Sequence, residues 1–140
     1  MSVMEVLLPL FVQVILTFVV AFTLGYRRYG AIRAGKLRGK KIALREANWP
    51  DDARQAENNY LNQFELPVLF YVLMILLLIT RQADFLQMTL AWIFVALRIA
   101  HAYVHLTHNR IAQRGPVFFI GAIVLMIMWG LFMVGIIRVY

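Results

Sequence analysis

Four long apolar stretches account for most of this 140-residue chain. They lie at about residues 6–25, 60–80, 85–105 and 116–137. A helix needs about 20 mostly apolar residues to cross the hydrocarbon core of a bilayer. Apolar residues make up 62% of the sequence and charged residues only 15%, and a soluble fold of this length cannot bury so much apolar surface. We therefore expect an all-α, integral membrane four-helix bundle that forms one domain over residues 1–140.

The basic residues are concentrated between the first two apolar stretches. Nine Lys and Arg residues fall within 26–54, and Arg110 and Arg114 belong to the third connection, whereas the opposite ends hold only Arg81 and Arg138. The positive-inside rule then predicts a cytoplasmic basic loop at 26–54 and both termini on the opposite side. In a bacterium, this would be a multi-pass protein of the inner membrane. Topology and contact with membrane lipids explain the net charge of +7, so we predict no nucleic-acid partner.

A polar face is predicted on the second helix, which should run from about residue 50 to residue 80. Arg54, Asn58, Asn62 and Glu65 follow one another at i, i+4, i+8 and i+11. At 100° per residue they share a stripe about 80° wide. Pro67 lacks a backbone N–H, so a kink is expected beside Glu65.

The third helix carries a matching polar face, formed by Arg98, His101, His105 and His108. Arg98 lies deep within its span, where an unpaired guanidinium is costly, and Glu65 of the same or a neighbouring chain is its expected partner. One interpretation is an ion pair that only holds the bundle together. The other is a functional cavity, which polar groups within membrane spans usually mark. One small bundle cannot shield both faces, so we expect a subunit interface to cover them.

Several kinds of site are disfavoured by the same residues. The histidine spacings permit metal binding on one helix face, but no third ligand stands at a suitable spacing, so we predict no metal site. A haem needs axial ligands that face each other, and all three histidines share a helix. Small multidrug exporters have four spans but use a carboxylate in the middle of the first helix, where this chain has only Glu5 at the start. The chain has no cysteine, so thiol chemistry requires a thiol from a substrate.

Two segments resemble the MAPEG family, the membrane-associated proteins of eicosanoid and glutathione metabolism. The motif N-x-x-E, at Asn62 and Glu65, follows the basic loop. Residues 98–114, RIAHAYVHLTHNRIAQR, resemble the third-helix segment of microsomal prostaglandin E synthase and microsomal glutathione transferases. The resemblance implies a homotrimer that binds glutathione between subunits near the cytoplasmic side. It also implies a hydrophobic small molecule or lipid as the second substrate.

The resemblance further implies roles for individual residues. Arg114 would be the catalytic residue that stabilises the thiolate of glutathione. The residues expected to bind glutathione are Arg27, Arg28, Arg54, Asn58, Asn62, Glu65, Arg98, His101 and His105. Glutathione has two carboxylates and one ammonium group, which suits several arginines and one glutamate. A cation beside a thiol lowers its pKa from about 8.5 and so raises the concentration of the nucleophile.

Three positions differ from the family pattern. Asn58 stands where an arginine is common, His105 where a tyrosine is expected, and Phe118 where prostaglandin synthases carry a tyrosine. These differences argue against an eicosanoid synthase. Two predictions stay open: a membrane glutathione transferase or peroxidase acting on lipophilic electrophiles, and a non-catalytic member of the same fold that binds a lipid or a partner membrane protein.

Overall fold

The computed structural model describes residues 1–37, 43 and 48–139, and these residues form helices joined by short connections, with no strand among them. Four of the basic residues predicted in the loop lie outside the described residues: Arg38, Lys40, Lys41 and Arg45. The helices are α1 (Val3–Arg33), α2 (Asp51–Asn62), α3 (Leu66–Ile79), α4 (Phe85–Leu106) and α5 (Ile111–Val139). With α2 and α3 taken together, they provide four segments long and apolar enough to cross a membrane. The predicted four-helix membrane bundle and multi-pass topology are confirmed.

Helix α1 extends into the segment that the sequence predicts as a basic loop. It starts at a capping box, in which the Ser2 hydroxyl accepts from the Glu5 backbone N–H and the Glu5 carboxylate accepts from that of Ser2. It ends at Arg33, and the chain then turns at Gly35, whose φ of +70° is readily adopted by glycine. The arginines at 27 and 28 therefore lie on the last turns of a helix.

The second span is broken, whereas the sequence predicts one kinked helix over residues 50–80. Helix α2 ends at Asn62, residues 63–65 form a turn, and α3 begins at Leu66. Pro67 lies in the first turn of α3, where a missing backbone N–H leaves no hydrogen bond unmade. Pro67 is therefore present where the sequence predicts a kink, but the helix is interrupted there and not only bent.

The apolar core lies between α3, α4 and α5. Phe70 of α3 stacks on Phe94 of α4 with ring centroids 4.7 Å apart, and Met128 of α5 packs into the same fully buried cluster. On the outer face of α1, by contrast, Phe22 is 77% and Tyr26 81% exposed. Large exposed apolar side chains along a spanning helix are what a surface in contact with lipid requires.

The two ends of the bundle differ in charge, as the sequence predicts. Arg27 donates to the carbonyl oxygens of Asp52 and Leu106, so the basic segment and the α4–α5 connection meet at one end. At the other end, Met1 lies beside Arg81 and Gly135 of α5 lies against Gln82. Both termini therefore lie opposite the basic end, while its cytoplasmic location remains a prediction.

Candidate functional site

The polar face predicted on the second helix does not point into the bundle. Arg54, Asn58 and Glu65 are exposed on the surface of the chain. The residues that reach the interior are Asn59 and Gln63, both fully buried. Packing of α2 against α1 and α4 thus turns the helix so that positions next to the predicted ones face inward.

Three buried amides link the break in the second span to its neighbours, and we call them the amide chain: Gln13, Gln63 and Asn59. Gln13 Nε2 donates to Gln63 Oε1 at 3.1 Å, and Gln63 Nε2 donates to Asn59 Oδ1 at 3.1 Å. Asn59 Nδ2 in turn donates to the carbonyl oxygen of Ala102 on α4 at 3.0 Å. This network is not among the sequence predictions, although Gln13, an amide within the first apolar stretch, was an available signal.

The polar face of α4 is buried within the single chain over its first three members, whereas the sequence predicts that a subunit interface covers it. Arg98, His101 and His105 are only 2%, 3% and 2% exposed. The Arg98 Nη2 donates at 3.0 Å to the carbonyl oxygen of Asn62, one of the carbonyls left free where α2 ends. Four buried nitrogen atoms have no hydrogen-bond partner among the described residues: Arg98 Nε and Nη1 and the Nε2 atoms of both histidines. Native proteins rarely leave buried polar groups in this state, so the cluster requires a ligand, water or another subunit.

Glu65 and Arg98 form no ion pair within one chain. The prediction that Arg98 pairs with Glu65 of the same chain is therefore wrong. Among the described residues, the ion pairs are those of Arg28 with Glu57 and Arg54 with Asp51. The turn at residues 63–65 leaves the Glu65 side chain exposed, and Arg98 binds a carbonyl oxygen instead. Pairing with a neighbouring chain remains a prediction.

A groove of about 260 Å³ opens beside this cluster, between the break in the second span, α4 and the start of α5. We call it the α4–α5 groove. Its polar half brings together four of the predicted site residues, and its apolar half comes from α5; the lining residues are Asn62, Glu65, His101, Arg114, Ile111, Gly115 and Phe118. Residues 111, 114, 115 and 118 share one face of α5 because they are three or four positions apart.

Arg114 is held in the groove at both its backbone and its side chain. It is half-buried and lies in the first turn of α5, at the start of the fourth span. His101 Nδ1 donates to its carbonyl oxygen at 3.2 Å, because a carbonyl can only accept. Its Nη1 donates to Asn109 Oδ1 at 2.7 Å. The ring of Phe118 lies 5.5 Å from that of His101 and supplies no hydroxyl.

The remaining predicted site residues lie away from the groove lining. Arg27 binds two carbonyl oxygens, of Asp52 and Leu106, at 2.8 and 2.7 Å. The Arg28 guanidinium forms a 2.6 Å ion pair with Glu57. These two arginines therefore tie α1 to the rest of the bundle. Arg54 and Asn58 are exposed on α2, on the same outer surface as Glu65.

His105 lies next to the groove, behind Asn62. Its Nδ1 is 3.5 Å from the side-chain amide nitrogen of Asn62. Together with the groove lining, the site offers guanidinium groups, imidazole nitrogens and one carboxylate on one side and an aromatic, apolar wall on the other. Such a surface is complementary to a ligand that carries both signs of charge and an apolar substituent.

Comparison with protein families finds one match: the MAPEG family model matches residues 6–134. That range includes most of the first and last spans, all of the two between them and every residue of the groove. Comparisons with curated proteins and with solved structures gave no match.

Proposed function

The chain belongs to the MAPEG family, and we propose that it is a membrane glutathione transferase or peroxidase that acts on hydrophobic electrophiles. The family is one of membrane proteins of glutathione and eicosanoid metabolism. Glutathione is the proposed co-substrate, and the second substrate is a hydrophobic small molecule or lipid that reaches the groove through the bilayer.

The cluster of unpartnered nitrogens beside the groove is the observation that carries this proposal. Arg98 and both histidines are almost fully buried, yet four of their nitrogen atoms have no hydrogen-bond partner in the part of the chain that the structure describes. Burying a guanidinium with two of its three nitrogens unpaired is costly. The carboxylates of glutathione are suitable partners for Arg98, and the carboxylate of Glu65 suits its ammonium group.

In the proposed reaction, Arg114 stabilises the thiolate of bound glutathione. A free thiol with a pKa near 8.5 is only a few per cent ionised at neutral pH. A guanidinium at the membrane boundary lowers that pKa, because its field is screened less there than in bulk water. The thiolate sulfur then forms a bond to the electrophilic atom of the second substrate, whose leaving group or π bond takes the displaced electron pair. The apolar wall at Ile111 and Phe118 receives the hydrophobic part of that substrate.

Arg114→Ala tests this role, with Arg110→Ala as the matched control. Arg110 directly precedes α5, is exposed and does not line the groove. We expect Arg114→Ala to raise the thiol pKa of bound glutathione by about one unit or more and to lower the conjugation rate at neutral pH roughly tenfold. Higher pH should restore part of the rate. Thiolate absorbance is followed against pH, and superimposable titrations of wild type and Arg114→Ala would remove Arg114 from the mechanism.

We also propose that the active protein is a homotrimer. Arg54, Asn58 and Glu65 are each exposed on the outside of the chain, and Glu65 directly precedes the apolar helix α3. Lipid is a poor neighbour for a carboxylate, which supports contact with another subunit at this surface. The number three comes from the family resemblance. Native mass spectrometry of the detergent-solubilised protein should give a trimer, and a dominant monomer would contradict it.

The alternative is a non-catalytic member of the family that binds a lipid or a partner membrane protein. Phe118 favours it, because a phenyl ring at this position in the groove provides no hydrogen bond to a thiol or thiolate. The two functions differ in their affinity for glutathione. Calorimetric titration of the purified protein should show glutathione binding if the proposed reaction is correct, and no binding at millimolar glutathione would leave the non-catalytic function.

A further inference from the structure

Asn109 is the residue that fixes the direction of the Arg114 side chain. It lies in the short connection between α4 and α5, and its Oδ1 accepts from Arg114 Nη1 at 2.7 Å. Since the Arg114 backbone is already held by His101, this second contact leaves the long side chain little freedom. An arginine without such a contact loses substantial rotamer entropy on being held in one position.

The position of Asn109 is itself set by the end of α4. Its backbone N–H donates to the carbonyl oxygen of Val104 at 2.8 Å, and its φ is +48°. This left-handed conformation is uncommon outside glycine, but asparagine adopts it more readily than most residues do. The amide oxygen is thus aimed by a well-defined turn that follows α4.

We propose that Asn109 is a positioning residue for Arg114, an inference that rests on the proposed role of Arg114 in stabilising the thiolate. The amide oxygen orients the guanidinium toward the groove, and because it carries no charge, it leaves the full positive charge of Arg114 to act on the sulfur. A carboxylate at the same position would orient Arg114 equally well but would offset part of that charge. The asparagine side chain combines orientation with preservation of charge.

Asn109→Gly separates this role from a purely structural one. Glycine adopts a positive φ at no steric cost, so the turn is retained while the side-chain amide that binds Arg114 is lost. Arg81→Gly is the matched control, because Arg81 also has a positive φ, of 56°, but lies in the α3–α4 connection at the opposite end of the bundle. Both variants should fold and assemble as the wild type does, as judged by thermal unfolding and native mass spectrometry.

The measurement is the pH titration of the thiolate absorbance of bound glutathione. We expect Asn109→Gly to raise the thiol pKa by about half a unit or more, a loss of roughly threefold in thiolate at pH values below that pKa. Arg81→Gly should titrate as the wild type does. In an Arg114→Ala background, Asn109→Gly should cause no further rise, because the residue acts through Arg114.

The outcomes keep the two proposals apart. A wild-type protein that fails to bind glutathione, or binds it with an unshifted thiol pKa, overturns the proposed reaction and this inference with it. A wild-type shift that Arg114→Ala removes and Asn109→Gly leaves intact overturns the role of Asn109 alone. A further rise in the double variant would also overturn it, since Asn109 would then act independently of Arg114.

Discussion

Replacing Gln63 with leucine is expected to destabilise the bundle much more than the same change at Gln13. Both side chains are fully buried, and they share one hydrogen bond. Their other contacts differ. Gln63 Nε2 also donates to Asn59 Oδ1 and to the Asn59 carbonyl oxygen, whereas the Oε1 of Gln13 has no partner among the described residues. The two variants therefore differ in the number of buried polar atoms that they leave unpaired.

The expected magnitudes follow from that count. Gln63→Leu strands two side-chain atoms, Gln13 Nε2 and Asn59 Oδ1, each at a cost of about 1–3 kcal/mol, and also removes a 3.3 Å hydrogen bond to the carbonyl oxygen of Asn59. Because hydrogen bonds inside membranes are often worth less than 1 kcal/mol, we expect a total loss of about 2–4 kcal/mol. Gln13→Leu strands only Gln63 Oε1 and also removes an atom that was already unpaired. Its net effect should stay within about 1 kcal/mol.

Reversible unfolding in mixed micelles gives the free energy of unfolding of each variant under identical conditions. In the double variant, Gln13→Leu with Gln63→Leu, Asn59 Oδ1 is the one side-chain atom of the amide chain that loses its hydrogen-bond partner. The double variant should therefore be more stable than Gln63→Leu alone, and its loss should be smaller than the sum of the two single losses. Equal losses in the two single variants, or strict additivity in the double variant, would refute the reasoning from unpaired atoms.

Three further predictions concern the groove and its surroundings. Among the residues that the structure describes, Glu65 forms no ion pair. Glu65→Gln should therefore change the free energy of unfolding by less than about 0.5 kcal/mol while lowering glutathione affinity in calorimetry; a loss near 3–5 kcal/mol would instead indicate a buried pair with a neighbouring subunit. Gly115 is exposed in the groove, and a Cβ added there would meet no atom of another segment within 4 Å. Gly115→Leu should therefore fold normally and keep glutathione affinity, but should reduce kcat/KM about tenfold more for a bulky electrophile than for a small one; equal reductions would contradict this. Arg27→Met removes two hydrogen bonds to carbonyl oxygens and should lower the free energy of unfolding by about 1–3 kcal/mol. The glutathione affinity of the folded protein should not change; weaker glutathione binding would show that Arg27 contributes to the binding site.

The sequence by itself determined the number of spans, their approximate limits and the family. Each of these depends on properties that are local in the chain, such as apolar length, the clustering of basic residues and short motifs. The buried face of Arg98, His101 and His105 was also predictable, because residues spaced by three and four positions must share one side of any helix. His108 was the exception: it lies in the turn after α4, where it bonds to Gln113.

Only the tertiary structure decided which polar residues of the second span face inward. Periodicity fixes the angles between residues on one helix, but the rotation of that helix about its axis depends on the surfaces of its neighbours. Here α2 turns Asn59 inward and leaves Asn58 exposed, although the two are adjacent in sequence. The interruption at residues 63–65 then separates Glu65 from Arg98, and the carbonyl group freed at Asn62 takes the place of the expected carboxylate. A buried donor such as the Arg98 guanidinium binds the acceptor that the folded backbone brings within hydrogen-bond distance. A sequence pattern does not specify the distance between a donor and an acceptor on different helices.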